Sequence, residues 1–185
     1  TAVIFKSKRL YGGYKIFMPS IVIYFSRAGE NYVNGEIKKL KTGNTQLAAE
    51  ILSKATGSDL FRVEPLIKYS EDYSQCVEEA QSDLQRNARP ELEAYPKNLE
   101  GYGIIYLAYP NYCGTLPMPM FTLLEKLDCT GKIIYPLCTH EGSRMGRSEQ
   151  DIKRLCPYSE VKKGLPVHGA EVFQAAEQII KWART

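Results

Sequence analysis

Most of the signals that declare a function outright are missing from these 185 residues. No apolar run approaches the roughly 20 residues that a membrane helix needs. The opening Ala2-Val3-Ile4-Phe5 is far shorter than the ~7–15-residue core of a signal peptide. Neither sign of charge prevails: 24 Lys and Arg face 21 Asp and Glu, a net +3, too mild to imply a nucleic-acid partner. Histidine is scarce, with only His140 and His168, far apart in the chain, which gives little support to a metal centre or a Ser-His-Asp site. The five cysteines (Cys76, Cys113, Cys129, Cys138 and Cys156) are odd in number and include no CxxC pair. That argues against a disulfide framework and against structural zinc, and for reduced, mostly buried thiols. The Gly-x4-Gly-Lys-[Ser/Thr] loop of nucleotide triphosphatases is absent, as is GxGxxG after a strand. With 44% hydrophobic and 24% charged residues, disordered, collagenous and coiled-coil chains are excluded. The expectation is a soluble, cytoplasmic, single-domain protein with no membrane and no nucleic-acid partner.

What is present is alternation. Ile21-Val22-Ile23-Tyr24-Phe25 is a continuous apolar run, as a strand buried on both faces should be. From Thr45 the spacing becomes helical (Leu47, Ala48, Ile51, Leu52, Ala55), and Gly57 closes the helix. Leu60 to Val63 predicts an edge strand ending before Pro65. Residues 72–88 predict a helix with Tyr73, Val77, Ala80 and Leu84 inward and an acidic outer face that includes Asp83. Strands follow at 103–109 and 132–138, with a helix from Pro119 to Leu127 between them. Ser148 predicts an N-cap, with Asp151 in the capping-box position. A short strand within 161–167 and a helix over 171–182 complete the pattern. Strand–helix alternation of this kind implies an α/β fold with a doubly wound parallel sheet.

Two segments stand outside the scheme. Residues 1–17 precede Met18 and read as an N-terminal extension of unknown role or an added edge strand. Residues 30–42 fall inside the loop after the first strand, and Asn34-Gly35 there predicts a small protruding hairpin.

In such a sheet, ligands bind beyond the carboxyl ends of the strands, where crossovers diverge. Three segments converge there. Ser26-Arg27-Ala28-Gly29 and, after the insert, Thr42-Gly43-Asn44-Thr45 combine small and hydroxyl residues at a helix start, suited to a phosphate monoester. The alternative is that Asn44 or Thr45 only caps the helix. The stiff loop 109–119 puts Tyr112 on its tip, where it either stacks on a flat ligand or plugs the loop onto the sheet. Residues 139–146 form the third segment.

The motifs Ile-Val-Ile-Tyr-Phe-Ser-Arg-Ala-Gly (21–29), Gly-Asn-Thr (43–45), Pro-x-Tyr-x-Gly-Thr-Leu-Pro (110–117) and Cys-Thr-His-Glu-Gly-Ser (138–143) together resemble the flavodoxin family. The narrower resemblance is to the branch with a short insert in the phosphate loop. It covers residues 18–182. It implies a flavodoxin-like three-layer sandwich, a five-stranded parallel sheet of order 2-1-3-4-5, and one non-covalent FMN in a domain spanning 18–185. Carried over residue by residue, Ser26, Asn44 and Thr45 bind the phosphate, with Arg27 and Ala28 beside it. Pro110, Asn111, Tyr112 and Gly114 flank the isoalloxazine, and Thr139, His140, Glu141, Gly142 and Ser143 line its other edge. The chain departs from the family where Ala28 replaces a common Thr and where the third loop offers only His140 and Met145 in place of a second aromatic. The function implied is an electron carrier serving redox partner proteins. The alternative is an NAD(P)H- or quinone-linked FMN reductase on the same fold.

Overall fold

The computed structural model describes residues 8–11 and 14–185. In chain order its elements are β1 (Lys8–Tyr11), β2 (Tyr14–Phe17), β3 (Ser20–Tyr24), β4 (Gly29–Val33), β5 (Glu36–Leu40), α1 (Asn44–Thr56), β6 (Asp59–Arg62), α2 (Tyr73–Gln85), β7 (Ile104–Pro110), α3 (Met118–Lys126), β8 (Ile133–His140), α4 (Ser148–Leu155), β9 (Glu160–Val161), β10 (Leu165–His168) and α5 (Ala176–Trp182). The central sheet runs β6-β3-β7-β8-β10 and every pairing in it is parallel. Counted along the sheet alone, that is the order 2-1-3-4-5. β1 and β2 pair antiparallel with each other.

Period-2 alternation sends side chains to two cores. Ile21, Ile23, Ile105, Leu107 and Ile134 pack against α3 and α4 through Phe121, Leu124 and Ile152. Val22, Tyr24, Tyr106, Ala108 and Leu137 pack against α1 and α5 through Ala48, Leu52 and Ile179. Both faces of the central strands are buried, so their sequences read as continuous apolar runs. Each such Ile or Leu contributes about 1.5–3 kcal/mol on burial. The five cysteines are unpaired, four of them buried and Cys113 exposed.

Several expectations need correcting. The last strand is split, because β8 pairs first with β9 and then with β10. Pro136 is thereby accommodated inside β8. The carbonyls of Lys132 and Ile134 face β9, so in a parallel ladder the N–H that Pro136 lacks falls at the break between β9 and β10. Ser148 does not cap α4. Its buried hydroxyl donates to the Met145 carbonyl at 2.6 Å and accepts from Tyr109 at 2.9 Å. Asp151 instead accepts from Thr115 Oγ1 at 2.6 Å, which ties the loop after β7 to α4. Asp83 is not on an acidic outer face of α2. It is buried and accepts from the Tyr69 hydroxyl at 2.7 Å and from Arg86 at 2.6 Å. The closing helix starts at Ala176, after a turn of 3-10 helix at Gly169–Glu171.

The hairpin forms as expected. β4 and β5 pair antiparallel around Asn34 and Gly35, both at positive φ (51° and 88°), the geometry a two-residue type I′ turn requires.

Candidate functional site

The three loops meet over the carboxyl ends of β3, β7 and β8 and enclose a cavity of about 290 Å³. Eleven predicted residues line it: Ser26, Arg27, Asn44, Thr45, Pro110, Asn111, Tyr112, Thr139, His140, Glu141 and Ser143. Ala28, Gly114 and Gly142 do not line it, and the two glycines contribute through their backbone. Gly114 accepts from Arg147 N–H and donates to Asn111 Oδ1, while Gly142 donates to His140 Nδ1 at 2.9 Å.

At one end is the start of α1. Gly43 is its N-cap and has no side chain to offer. The cap comes from the adjacent strand loop instead: Ser26 Oγ accepts the Gln46 N–H at 3.1 Å. Neither Asn44 nor Thr45 caps the helix, since both lie inside it. A Cβ on Gly43 would collide with Ser26 Oγ and the Arg27 carbonyl, so only glycine permits this closure. Thr45 Oγ1 and Thr139 Oγ1 are 2.6 Å apart and buried, which joins the first and third loops. No acidic residue lies in the first turn of α1, so the N-terminal dipole is not neutralised from within the helix.

The terminal nitrogens of Arg27 are taken up by backbone carbonyls. Its guanidinium donates to the carbonyls of Ser70 (2.8 Å), Glu71 (3.0 Å) and Glu30. With Glu30 Oε2 accepting the Tyr73 N–H at 3.1 Å, this fastens the base of the hairpin to the start of α2. The hairpin tip is fastened too, because Asn34 N–H donates to Glu141 Oε2 at 3.0 Å. The insert therefore spans the crevice from residues 70–73 to the loop after β8.

Tyr112 is not an exposed tip; Cys113 is. Residues 112–115 turn tightly, with both backbone bonds between Tyr112 and Thr115 formed (2.9 and 3.0 Å) and positive φ at Cys113 and Gly114. Tyr112 points inward and packs edge-to-face with Phe25 and with Tyr69, 5.9 Å between centroids in each case. Its hydroxyl lies 3.6 Å from Cys76 Sγ, and burial pushes that hydroxyl far above the usual tyrosine range. One edge of the ring is thus anchored in the fold while the residue still lines the cavity.

Asn111 stitches the second and third loops together, donating to the Arg144 carbonyl at 2.9 Å. Burial lowers the pKa of His140, and His168 and Arg144 lower it further. At neutral pH the ring is uncharged. Its Nδ1 accepts from Gly142, so the proton resides on Nε2.

Sequence reasoning missed Asn31, Tyr32, Tyr73 and Gly169, all of which line the cavity. Tyr32 and Tyr73 stack on each other, 6.1 Å apart and 26° between planes. The hairpin was legible, but not its fold-back over the crevice, so neither tyrosine could be placed in the site.

An open parallel α/β sheet with small-residue loops and a helix start at its carboxyl edge defines a ligand-binding, flavodoxin-like fold. The chain belongs to the flavodoxin family, whose profile matches residues 20–185. Among solved structures it is similar to a candidate flavoprotein from Bacteroides eggerthii, with 24% identity over 88% of this chain and 98% of that one and a TM-score of 0.67. A candidate flavoprotein from Bacteroides uniformis shows 22% identity, coverage of 91% and 99%, and a TM-score of 0.68. A flavoprotein from Lactobacillus acidophilus, solved in complex with FMN, shows 18% identity, coverage of 85% and 97%, and a TM-score of 0.63. These likenesses establish the fold. A search of curated proteins gives no significant match.

Proposed function

We propose that this protein binds FMN in the crevice and transfers electrons to and from redox partner proteins, as a member of the flavodoxin branch with an insert in the phosphate loop. Residues 18–185 form the FMN-binding domain in this reading, with residues 1–17 as an addition to it. The observation that carries the proposal is the distribution of unmet polar groups. Among the described residues, the buried side-chain atoms with no hydrogen-bond partner are Arg27 Nε, Glu141 Oε1 and His168 Nδ1. All three lie in or beside this crevice. Buried polar groups are seldom left unpaired without a ligand or functional reason.

The residues fit FMN. Ser26 Oγ already accepts from Gln46, so its proton is available to a phosphate oxygen, and the hydroxyl pair of Thr45 and Thr139 has a second proton to donate. The helix start adds its dipole. Pro110, Asn111 and Tyr112 line one part of the crevice and Thr139, His140 and Ser143 another, while Glu141 lies toward Asn44 at the start of α1. Bound FMN supplies reversible uptake of one or two electrons. The chain orients it, limits its contact with water through the hairpin, and holds an Nε2 proton on His140 at the crevice. The missing donor at Ala28 is not replaced by the insert's Asn31, whose amide is spent on the carbonyls of Arg27 and Gly29.

Purification with flavin absorbance at one FMN per chain tests the reading. FMN should bind far better than riboflavin, and Thr45→Val should weaken FMN by about 1.5–3 kcal/mol while sparing riboflavin. Equal weakening of both would remove Thr45 from the phosphate site.

One observation favours a second reading, an NAD(P)H- or quinone-linked reductase: the hairpin brings Tyr32 to the crevice, where it stacks on Tyr73 at the start of α2, and walls of that kind shape a substrate pocket. Steady-state oxidation of NADPH with a quinone by the isolated FMN protein would select the reductase. Its absence, with rapid exchange to a redox protein, would select the carrier.

A further inference from the structure

Glu141 is held in an unusual place for an acid in an anion-binding crevice. Its Oε2 accepts the Asn34 N–H of the hairpin tip at 3.0 Å and lies 3.6 Å from His168 Nε2. Its Oε1 is buried with no partner. A carbon built on Gly169 would sit 2.5 Å from that Oε1 and 2.6 Å from Asn44 Nδ2, so the carboxylate and the first residue of α1 converge on one point. The carboxylate therefore stands beside the side chain of Asn44, the first residue of α1, and that helix end carries the positive dipole that favours an incoming phosphate.

We propose that Glu141 is a specificity-determining residue that couples the phosphate end of the ligand to the hairpin. The proposal rests on the flavin reading above. Two anions cannot share one helix end at close range without a large repulsion. A ligand phosphate seated on Ser26 and Thr45 drives the Glu141 carboxylate off α1, and the Asn34 N–H loses its acceptor. The tip of the insert is released only by a phosphorylated ligand; an unphosphorylated one leaves it fastened. By linkage, fastening the tip weakens phosphate binding by the same factor.

Glu141→Gln keeps the shape and the acceptor for Asn34 while removing the charge. FMN, riboflavin and inorganic phosphate would each be titrated against the apoprotein, wild type and variant. FMN and inorganic phosphate should bind the variant about tenfold more tightly or better, as expected for a like-charge pair in partly solvated surroundings, with riboflavin unchanged. In the wild type, amide exchange at Asn34 should accelerate on adding FMN and not on adding riboflavin. Equal effects on FMN and riboflavin, no effect on either, or Asn34 exchange indifferent to FMN would overturn the coupling. If wild type binds neither flavin, the cofactor reading fails by itself, and the inorganic phosphate arm still decides the role of Glu141.

Discussion

The two ends of the crevice are built on opposite plans. The phosphate end is made of groups that satisfy one another, Ser26 with Gln46 and Thr45 with Thr139, and Gly43 is pressed against Ser26 and Arg27. The roof is a hairpin whose second strand is largely exposed, fastened at its base by Arg27 and Glu30 and at its tip by the single bond to Glu141. A close-packed, internally bonded loop is preorganised and cannot yield without loss of fold. A two-stranded ribbon is only marginally stable by itself, so a few polar bonds decide where it rests. The first end suits recognition, and the second suits adjustment.

Tyr112→Ala should be the most costly way to test this contrast. It removes a ring from the Phe25–Tyr69–Tyr112 cluster, with an expected loss of about 2–4 kcal/mol of stability, somewhat below the usual range for a fully buried aromatic. Denaturant unfolding of the apoprotein measures this. A loss confined to FMN affinity, with stability unchanged, would show that the ring belongs to the ligand alone. Gly43→Ala should cost about 1–3 kcal/mol by overpacking and should abolish selection of FMN over riboflavin, since the loop cannot close. Retained selectivity would show that the phosphate end is as adaptable as the roof.

On the roof, Tyr32→Ala should leave stability within about 0.5 kcal/mol, since Tyr32 is 42% exposed and surface changes of this kind are small. Loss of the Tyr73 contact should still alter flavin affinity or fluorescence. A destabilisation matching that of Tyr112→Ala would erase the distinction between the two ends. The smallest effect is a pH dependence. The folded-state pKa of His140 is depressed, so the unfolded chain takes up a proton first as pH falls through about 6.5. Stability from this group is full above that value and declines as pH falls through the lower, folded pKa. His140→Asn should flatten that part of the stability–pH profile, and an unchanged slope would assign it to other groups.

Much of this was legible before any tertiary information. Continuous apolar runs at 21–25 and 103–109 mark strands buried on both faces, because covering both sides of a sheet leaves no polar alternation to see. Asn34-Gly35 specifies its turn through the positive φ both residues tolerate. The topology brings three segments together at the strand ends, and the family resemblance named eleven of the lining residues within them. Burial of Asp83 was not legible, because its partner Tyr69 is fourteen residues away on a loop. Nor was the engagement of Arg27 with the carbonyls of Ser70 and Glu71, 43 and 44 positions away, and the choice between the two readings of Tyr112 rested on its packing against Phe25 and Tyr69.

The sequence by itself determined most of the elements and the end of the sheet where a ligand would sit, because these follow from local periodicity and from the parallel α/β topology, while the order of the strands came from the family resemblance. Only the tertiary structure decided how the insert folds back, which donors are already spent and where Glu141 rests. Those outcomes depend on hydrogen bonds between residues dozens of positions apart, whose pairing no local pattern encodes.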